Sequence, residues 1–293
     1  MRVVHAGQLA ISPGAAAGGS RERAHSYAGR LMATYLDRIL AAHRGAAEAD
    51  RRDLGQLVAW AGSCPPARGF AAALRAKPGA GAGPAVVAEI KRRSPSRGAL
   101  APGLVPGALA KAYAGAGATC LSVLTDSEFF GGSPGDLTEA RAAVDLPVLR
   151  KDFTLRAADV CDARLMGADA VLLIVGALSP AELSELLALA GQVGLDALVE
   201  VHDVEEAERA LGAGAELVGV NQRDLATFEV DTGLAVRVAR HLPPGVLRVA
   251  ESGIRTRDDV SRLAGAGFDA VLVGEALLRA ADPGAALAEL LSC

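Results

Sequence analysis

Eight short apolar runs, each followed by an alanine-rich stretch with helical spacing, constrain the fold of this 293-residue chain more than any other feature. They begin near Val86, Cys120, Val148, Ala170, Ala197, Leu217, Arg248 and Ala270. Each interval is long enough for a strand, a crossover helix and two loops. Several runs are apolar throughout, as parallel strands covered on both faces are. The sequence therefore predicts an α/β fold, a (β/α)8 TIM barrel. An open doubly wound sheet is the alternative, but no Gly-x-Gly-x-x-Gly turn follows the first run.

The segment before the first run shows three stretches of helical spacing: one that starts near residue 32, and the stretches 54–61 and 69–76. We expect these helices, about residues 32–80, to form an N-terminal extension that caps the active-site face of the barrel. Residues 32–293 would then form a single domain. Residues 1–31 lack apolar periodicity, so we predict a flexible N-terminal tail there.

Composition and charge exclude several classes of function. The 30 basic residues against 34 acidic ones give a net charge of −4, and only 3% of residues are aromatic, so we expect no nucleic-acid partner. The apolar runs are shorter than the ~20 residues of a membrane span. The four cysteines show no zinc-binding spacing. We expect a cytoplasmic protein that binds a small anion and no metal.

Polar side chains, most of them charged, end six of the eight apolar runs. These residues are Glu89 and Lys91, Thr125 and Asp126, Lys151 and Asp152, Glu200, Asn221 and Arg223, and Glu251. In a barrel the carboxyl ends of the strands meet on one face. One such residue alone could be a solvated strand end or a salt bridge. Six strands that end in this way indicate an acid–base centre, because clustered charges shift one another's protonation.

A second pattern lies at the ends of the last two runs, which read Glu251-Ser252-Gly253-Ile254 and Val273-Gly274-Glu275-Ala276. Glycine allows close backbone approach to a ligand, and in barrels the loops after strands seven and eight commonly bind phosphate. An ordinary turn between strand and helix is the alternative for either glycine alone. Ser94, Ser96 and Lys91 in the first loop could complete the cradle, so we predict a phosphorylated small-molecule substrate.

In these motifs the chain resembles the indole-3-glycerol phosphate synthase family over about residues 32–291. The resemblance rests on Glu89-Ile90-Lys91 with Ser94-Pro95-Ser96, Leu121-Ser122-Val123-Leu124-Thr125-Asp126 with Phe129-Phe130-Gly131-Gly132-Ser133, Leu149-Arg150-Lys151-Asp152-Phe153, Leu198-Val199-Glu200-Val201-His202, Gly219-Val220-Asn221-Gln222-Arg223-Asp224-Leu225, and Glu251-Ser252-Gly253-Ile254. It implies a carboxy-lyase of tryptophan biosynthesis that closes a pyrrole ring on 1-(2-carboxyphenylamino)-1-deoxyribulose 5-phosphate, with loss of carbon dioxide and water. It implies no cofactor or metal. We expect a monomer, with association with other tryptophan-pathway enzymes as a further expectation.

The resemblance also implies catalytic roles. Lys151 matches the acid that polarises the substrate ketone, and Glu200 matches the general base. Lys91 matches the lysine that meets the substrate carboxylate, and it is a candidate donor of the proton with which the hydroxyl leaves as water. Glu89 would hold a lysine in position.

Other positions match residues that orient or bind the substrate. Asn221, Arg223 and Glu251 match residues that orient the substrate and the catalytic groups, and Asn221 and Glu251 are counted with the catalytic residues. Phe129 and Phe153, with Phe130, would form an apolar wall for the aromatic ring. The alternative for Phe129 and Phe153 is that they are loop anchors packed on the barrel rim. The substrate-binding set is therefore Arg223, Phe129, Phe153, Ser94, Ser252, Gly253, Gly274 and Glu275.

Two of these neighbourhoods raise questions that the sequence leaves open. Glu275 departs from the serine that some family members carry at this position, and a carboxylate pointing inward would repel phosphate. We therefore expect the backbone there, rather than the side chain, to bind. His202 follows a strand as a catalytic residue could, but Glu200 already fills the role of base. We therefore interpret His202 as a residue that supports the site from behind.

Two other functions are consistent with a phosphate-binding barrel. A phosphoribosylanthranilate isomerase-like enzyme would resemble a design with a cysteine and an aspartate as its acid–base pair, but no cysteine ends an apolar run here. A non-catalytic phosphosugar-binding barrel would keep the glycine loops, but we would expect it to have lost Lys91, Lys151 or Glu200.

Overall fold

Eight parallel strands form the centre of the computed structural model, which describes residues 34–76, 83–95, 98–101 and 103–292. The predicted tail, residues 1–31, lies outside the described residues. The barrel strands are β1 (Ala85–Ile90), β4 (Cys120–Leu124), β5 (Val148–Lys151), β6 (Ala170–Ile174), β7 (Asp196–Val201), β8 (Leu217–Asn221), β9 (Leu247–Glu251) and β10 (Ala270–Val273). Two further strands, β2 (Arg93–Ser94) and β3 (Gly98–Ala99), form a short hairpin in the loop after β1.

The barrel closes because β1 pairs in parallel with both β4 and β10. Closure leaves no edge strand unpaired within the barrel. Every predicted run begins within one residue of an observed barrel strand, and the predicted (β/α)8 barrel is confirmed. The match follows from burial: the residues of β1, β4, β6, β8 and β10 are buried throughout, so their apolar character shows directly in the sequence.

Helices surround the barrel and connect its strands. They are α4 (Pro106–Gly115), α5 (Pro134–Ala143), α6 (Ala157–Leu165), α7 (Pro180–Gln192), α8 (Val204–Gly212), α9 (Leu234–Ala239), α10 (Arg257–Gly265), α11 (Glu275–Leu278) and α12 (Pro283–Leu291). Several start at a side chain that accepts a backbone N–H of the first turn, as Ser179 does for α7 and Thr256 does for α10. In the described ranges no helix is both long and apolar enough to span a bilayer.

Three helices precede the barrel: α1 (Tyr35–Ala49), α2 (Leu54–Gly62) and α3 (Phe70–Arg75). Helix α1 lies over the carboxyl ends of the strands, where Tyr35 and Ile39 line the central cavity. His43 of α1 contacts Asp126, which follows β4 in the chain, with His43 Nε2 2.9 Å from Asp126 Oδ2. The predicted capping role is therefore confirmed for α1.

The other two N-terminal helices lie away from that face, unlike the prediction for the whole segment 32–80. Helix α2 packs on the outer helix α6, and Arg52, just before α2, pairs with Asp162 of α6 at 2.7 Å. Helix α3 lies at the opposite end of the barrel, since the backbone N–H of Ala71 donates to Asp196, the first residue of β7, at 2.8 Å. Phe70 of α3 is fully buried there, so this helix closes the amino-terminal end of the barrel.

Candidate active site

A cavity of about 550 Å³ lies at the carboxyl ends of the barrel strands. It is lined by thirteen of the fourteen site residues predicted from the sequence, although they come from widely separated parts of the chain. These are Glu89, Lys91, Ser94, Lys151, Phe153, Glu200, Asn221, Arg223, Glu251, Ser252, Gly253, Gly274 and Glu275. The barrel thus brings the strand-end charges together as its topology requires.

Lys151 is the centre of the charged cluster. Its ammonium donates to Glu200 Oε2 at 2.5 Å and to Glu251 Oε2 at 2.7 Å. Asn221 Nδ2 donates to the other oxygen of Glu200 at 3.1 Å. Both carboxylates are buried, with 1% and 2% of Glu200 and Glu251 exposed. The cluster is therefore an ammonium held between two carboxylates and screened little by water.

This arrangement gives the three groups different protonation states. Burial alone would lower the pKa of Lys151, but the carboxylates of Glu200 and Glu251 outweigh it and raise that pKa. Burial alone would raise the pKa of Glu200, but Lys151 and His202 outweigh it and hold that pKa well below its usual range. Burial, with repulsion from Glu200, raises the pKa of Glu251 to about 7 against the opposing effect of Lys151. A charged donor, an ionised acceptor and a carboxyl that titrates near neutrality thus lie side by side.

A second ion pair lies at the first strand. Lys91 Nζ donates to Glu89 Oε1, and both side chains line the cavity. Gly274 leaves the space for Glu89, because a Cβ at Gly274 would overlap Glu89 Oε1. A second ammonium–carboxylate pair therefore lines the cavity next to Gly274.

Gly219 of β8 makes room for Glu251 in the same way, since a Cβ there would overlap Glu251 Oε1. We expect Gly219→Ala to push Glu251 away from Lys151 and to lower kcat roughly tenfold, because small displacements of catalytic groups are costly. Gly191→Ala is the matched control, since nothing lies within 4 Å of a Cβ at Gly191. Steady-state kinetics of both variants check the prediction, which fails if the two behave alike.

The glycine loops form the other end of the cavity. Gly253 has a φ of 71°, and a Cβ there would lie 2.6 Å from Val230 Cγ1, so only glycine fits. Ser252 before it also has a positive φ, of 64°. Ser94 Oγ is buried and, among the described residues, has no hydrogen-bond partner. A buried hydroxyl without a partner beside glycine turns is suited to an anionic ligand.

Glu275 lines this end of the cavity. Its side chain is negatively charged, whereas a residue that binds phosphate is expected to be positively charged or neutral. Its carboxylate accepts from Arg223 Nη2 at 3.1 Å and lies 3.8 Å from Arg279 Nη1. Arg223 is held further by the carbonyl of Phe228, to which Nη1 donates at 3.1 Å. Two arginines therefore offset the carboxylate at the rim.

The apolar wall differs from the prediction at one position. Phe130 and Phe153 line the cavity, with ring centroids 6.3 Å apart. Phe129 does not line it; the ring packs edge-on against Tyr35 of α1, 5.7 Å between centroids, and Tyr35 lines the cavity instead. Phe129 and Phe130 are adjacent in a loop, and the sequence has no periodicity there to show which ring points inward.

One group in the described ranges could offer three metal ligands: His43, Asp126 and Asp152, with ligand atoms within 4.8 Å of one another. Existing contacts account for their oxygens. Asp126 Oδ1 accepts the backbone N–H groups of Phe129 and Phe130, and Asp152 Oδ2 accepts from Arg150 at 3.0 Å. Hydrogen bonding of helix α1 to the barrel explains the group. Sequence reasoning missed His43, because a histidine within an amphipathic helix gives no signal of its distant partner.

The fold and this cavity define the class of the protein: a (β/α)8-barrel enzyme with a buried lysine–carboxylate centre beside glycine-containing loops. Two solved structures share the fold. Thiamine phosphate pyrophosphorylase from Pyrococcus furiosus matches with a TM-score of 0.53 and 19% identity, over 71% of this chain and 93% of that one. A mandelate oxidase mutant matches with a TM-score of 0.52 and 23% identity, over 71% of each chain. Both likenesses concern the fold alone.

Sequence comparison identifies the family. The model of the family "Indole-3-glycerol phosphate synthase" matches residues 36–290. An indole-3-glycerol phosphate synthase 2 of Streptomyces coelicolor is 52% identical over 80% of this chain and 88% of its own length. The synthases of Albidiferax ferrireducens and Mycobacterium avium are each 49% identical, over 88% and 89% of this chain and 98% and 94% of their own lengths.

The chain belongs to the indole-3-glycerol phosphate synthase family. The predicted family, and with it a carboxy-lyase of tryptophan biosynthesis, is confirmed. The isomerase-like alternative loses its basis, and in the part of the chain described no cysteine lines the cavity. A non-catalytic barrel is also disfavoured, since Lys91, Lys151 and Glu200 are all present in the cavity.

Proposed function

We propose that this cavity closes the pyrrole ring of 1-(2-carboxyphenylamino)-1-deoxyribulose 5-phosphate to give indole-3-glycerol phosphate, with Lys151 as the acid and Glu200 as the base. The observation that carries the proposal is the position of Lys151 Nζ, 2.5 Å from Glu200 Oε2 and 2.7 Å from Glu251 Oε2 in the cavity. An acid and a base this close can act on neighbouring atoms of one substrate.

In the first stage, the Lys151 ammonium donates to the ketone oxygen of the substrate. The aromatic carbon that bears the carboxylate attacks the ketone carbon, and the oxygen takes the proton as the carbon–carbon bond forms. The bond to the carboxylate then breaks, carbon dioxide leaves, and its electron pair restores the benzene ring. The surrounding carboxylates support this role because they keep Lys151 protonated before the substrate is bound.

In the second stage, the new hydroxyl leaves as water with a proton from Lys91, and Glu200 removes the ring proton whose loss completes the pyrrole. Lys91 also meets the substrate carboxylate, and Glu89 holds Lys91 through their ion pair. Glu200 is suited to accept a proton because its neighbours keep it ionised. Glu251 orients Lys151 by accepting its hydrogen bond.

The remaining predicted residues hold the substrate. Asn221 orients Glu200 and accepts the backbone N–H of Arg223 at 3.1 Å. Phe153, with Phe130, supplies the apolar wall for the benzene ring. The phosphate lies at Ser94 and at the backbone of Ser252, Gly253 and Gly274, where Arg223 and Arg279 offset the charge of Glu275. Phe129 supports this wall through Tyr35.

The direct test is to incubate the purified protein with the carboxyphenylamino-deoxyribulose phosphate and to follow the fluorescence of the indole product. We expect turnover without added metal or cofactor. Release of carbon dioxide in equal amount would establish that ring closure and decarboxylation occur together. A protein that binds the substrate but gives no indole product would refute the proposed reaction.

The phosphate end of the cavity can be tested without turnover. We expect inorganic phosphate or glycerol phosphate at millimolar concentration to raise the melting temperature, because a ligand that binds only the folded state stabilises it. Potassium chloride at equal ionic strength is the control. Ser94→Ala should weaken the shift, whereas Ser63→Ala, at the exposed end of α2, should not. A shift of equal size with chloride would argue against the site.

We further propose that the enzyme acts as a monomer in the cytoplasm. Support for the monomer comes from the cavity, whose lining is supplied by one chain and includes helix α1 as its cover. Support for the location comes from the substrate, a phosphorylated metabolite of tryptophan biosynthesis.

A further inference from the structure

His202 lies directly behind the proposed base and has no assigned part in the reaction. It follows β7, two residues after Glu200, and side chains two apart on a strand share a face. His202 Nε2 is 3.4 Å from Glu200 Oε1. In the part of the chain that the structure describes, Nε2 is buried and has no acceptor in hydrogen-bond geometry. A small movement of Glu200 would give it one.

The start of helix α8 fixes the imidazole ring. Glu206 Oε2 accepts both the backbone N–H of His202, at 2.8 Å, and His202 Nδ1, at 3.1 Å. Glu206 is itself fixed, because its backbone N–H donates to the capping residue Asp203 at 2.7 Å. A chain of contacts therefore runs from the cap of α8 through Glu206 and His202 to Glu200.

The charges around His202 favour an imidazolium. Burial alone would lower its pKa, but Glu200 and Glu206 outweigh burial and raise the pKa of His202 to about 10. Asp224, after β8, adds a third negative charge nearby, since His202 lowers the pKa of that carboxyl. Lys151 is the opposing cation and contacts the far oxygen of Glu200. At neutral pH, His202 and Lys151 thus flank Glu200 as two cations.

We propose that His202 is a positioning residue: it is the fixed cation that keeps Glu200 aimed and ionised when Lys151 turns from Glu200 to the substrate ketone. The inference rests on the proposed function, in which Lys151 cannot donate fully to Glu200 and to the substrate at once. His202 cannot follow the substrate in this way, because Glu206 holds its other ring nitrogen. Glu200 therefore keeps one counter-charge throughout the reaction.

The pH dependence of kcat tests this role. We expect His202→Leu to lower kcat about tenfold with KM within about twofold of the wild type. The midpoint of the acid limb of the kcat profile should rise by about one pH unit, because Glu200 without its cation takes up a proton more readily. His202→Gln restores a hydrogen-bond donor without charge, so kcat should partly recover while the acid limb stays shifted. His241→Asn, at an exposed histidine, is the control.

A second measurement needs no turnover. In NMR spectra of the wild type, the His202 ring should remain an imidazolium above pH 8. Glu206→Gln should lower the His202 pKa by about one unit or more and shift the acid limb of kcat, because it removes one of the flanking carboxylates. Glu205→Gln, at the exposed neighbour in the same helical turn, should change neither.

Three results would overturn the inference: a His202 ring that titrates near pH 6.5 in the wild type, an acid limb that does not move in His202→Leu, or a raised KM with unchanged kcat. The outcomes separate this inference from the proposed function. An active wild type whose Glu200→Gln variant is inactive upholds the reaction, so that a failed His202 test then counts against His202 alone. A wild type that makes no indole product ends both.

Discussion

Lys151→Ala is expected to lower kcat by at least ~10²-fold, the scale for loss of a positioned proton donor. The physical reason is twofold. The variant has no acid at the ketone oxygen, and Glu200 and Glu251 are left as two buried carboxyls without the cation that both contact. Like charges so close disfavour double ionisation, so one of the two carboxyls is expected to hold a proton. KM should change little, because the phosphate end of the cavity is untouched.

Two further lysine substitutions distinguish proton donation from charge. Lys151→Arg keeps the positive charge, but a guanidinium does not give up its proton, so we expect activity to stay low. Lys111→Ala, at an exposed position of α4, is the matched control and should be fully active. Steady-state kinetics with the indole fluorescence assay decide the matter. A Lys151→Ala enzyme within threefold of the wild type would exclude the role of acid.

The barrel strands and their polar ends could be predicted because both signals are local. A buried parallel strand is apolar over four to six consecutive residues here, and a residue that ends it is visible as a charge beside that run. The convergence of those charges required no further information than the closure of the barrel. Glu89, Lys151 and Glu200 were therefore placed in one cavity from strand position alone.

What could not be predicted is set by contacts between distant residues or by loop conformation. Lys151 contacts Glu251 100 residues further along the chain, and nothing in the sequence shows that these two side chains meet rather than Lys151 and Glu89. The wall residue Phe130 could not be told from Phe129, because a loop has no period. Helix α3 was expected over the active site and lies at the other end, because amphipathic spacing shows that a helix is covered but not by which surface.

His202 shows both the predictable and the unpredictable kind of contact. Its position beside Glu200 could be predicted from the sequence, but its contact with Glu206 could not. The contact of His202 with Glu200 follows from the alternation of side chains along a strand. The hydrogen bond between His202 and Glu206 depends on where α8 begins. Rigid elements thus position both the base and its supporting cation, which is the arrangement that precise catalytic geometry requires. Lys151 and Glu200 lie on strands, whereas the loops after the last two strands contribute Gly253 and Gly274, and helix α1 covers the cavity.

The second large effect is expected at the amino-terminal end of the barrel, where Asp169 is fully buried. Asp169 Oδ2 accepts Val148 N at 2.9 Å and Arg141 Nη1 at 2.5 Å, and Oδ1 accepts Arg68 N at 2.8 Å. Asp169→Ala would leave the cation and two amides without their acceptor, so we expect the free energy of unfolding to fall by on the order of 3 kcal/mol. Urea denaturation measures the change.

The same substitution should leave catalysis intact, because Asp169 lies at the end of the barrel opposite the cavity. We expect kcat of the folded Asp169→Ala variant to match that of the wild type at 25 °C, well below its melting temperature. Asp231→Ala is the matched control for stability: Asp231 pairs with Arg237, but both side chains are more than half exposed, so water and salt replace that pair at little cost. Equal losses in the free energy of unfolding in the two aspartate variants would show that the contacts of Asp169 do not stabilise the barrel. A lower kcat in the fully folded Asp169→Ala variant would show that the two ends of the barrel are coupled.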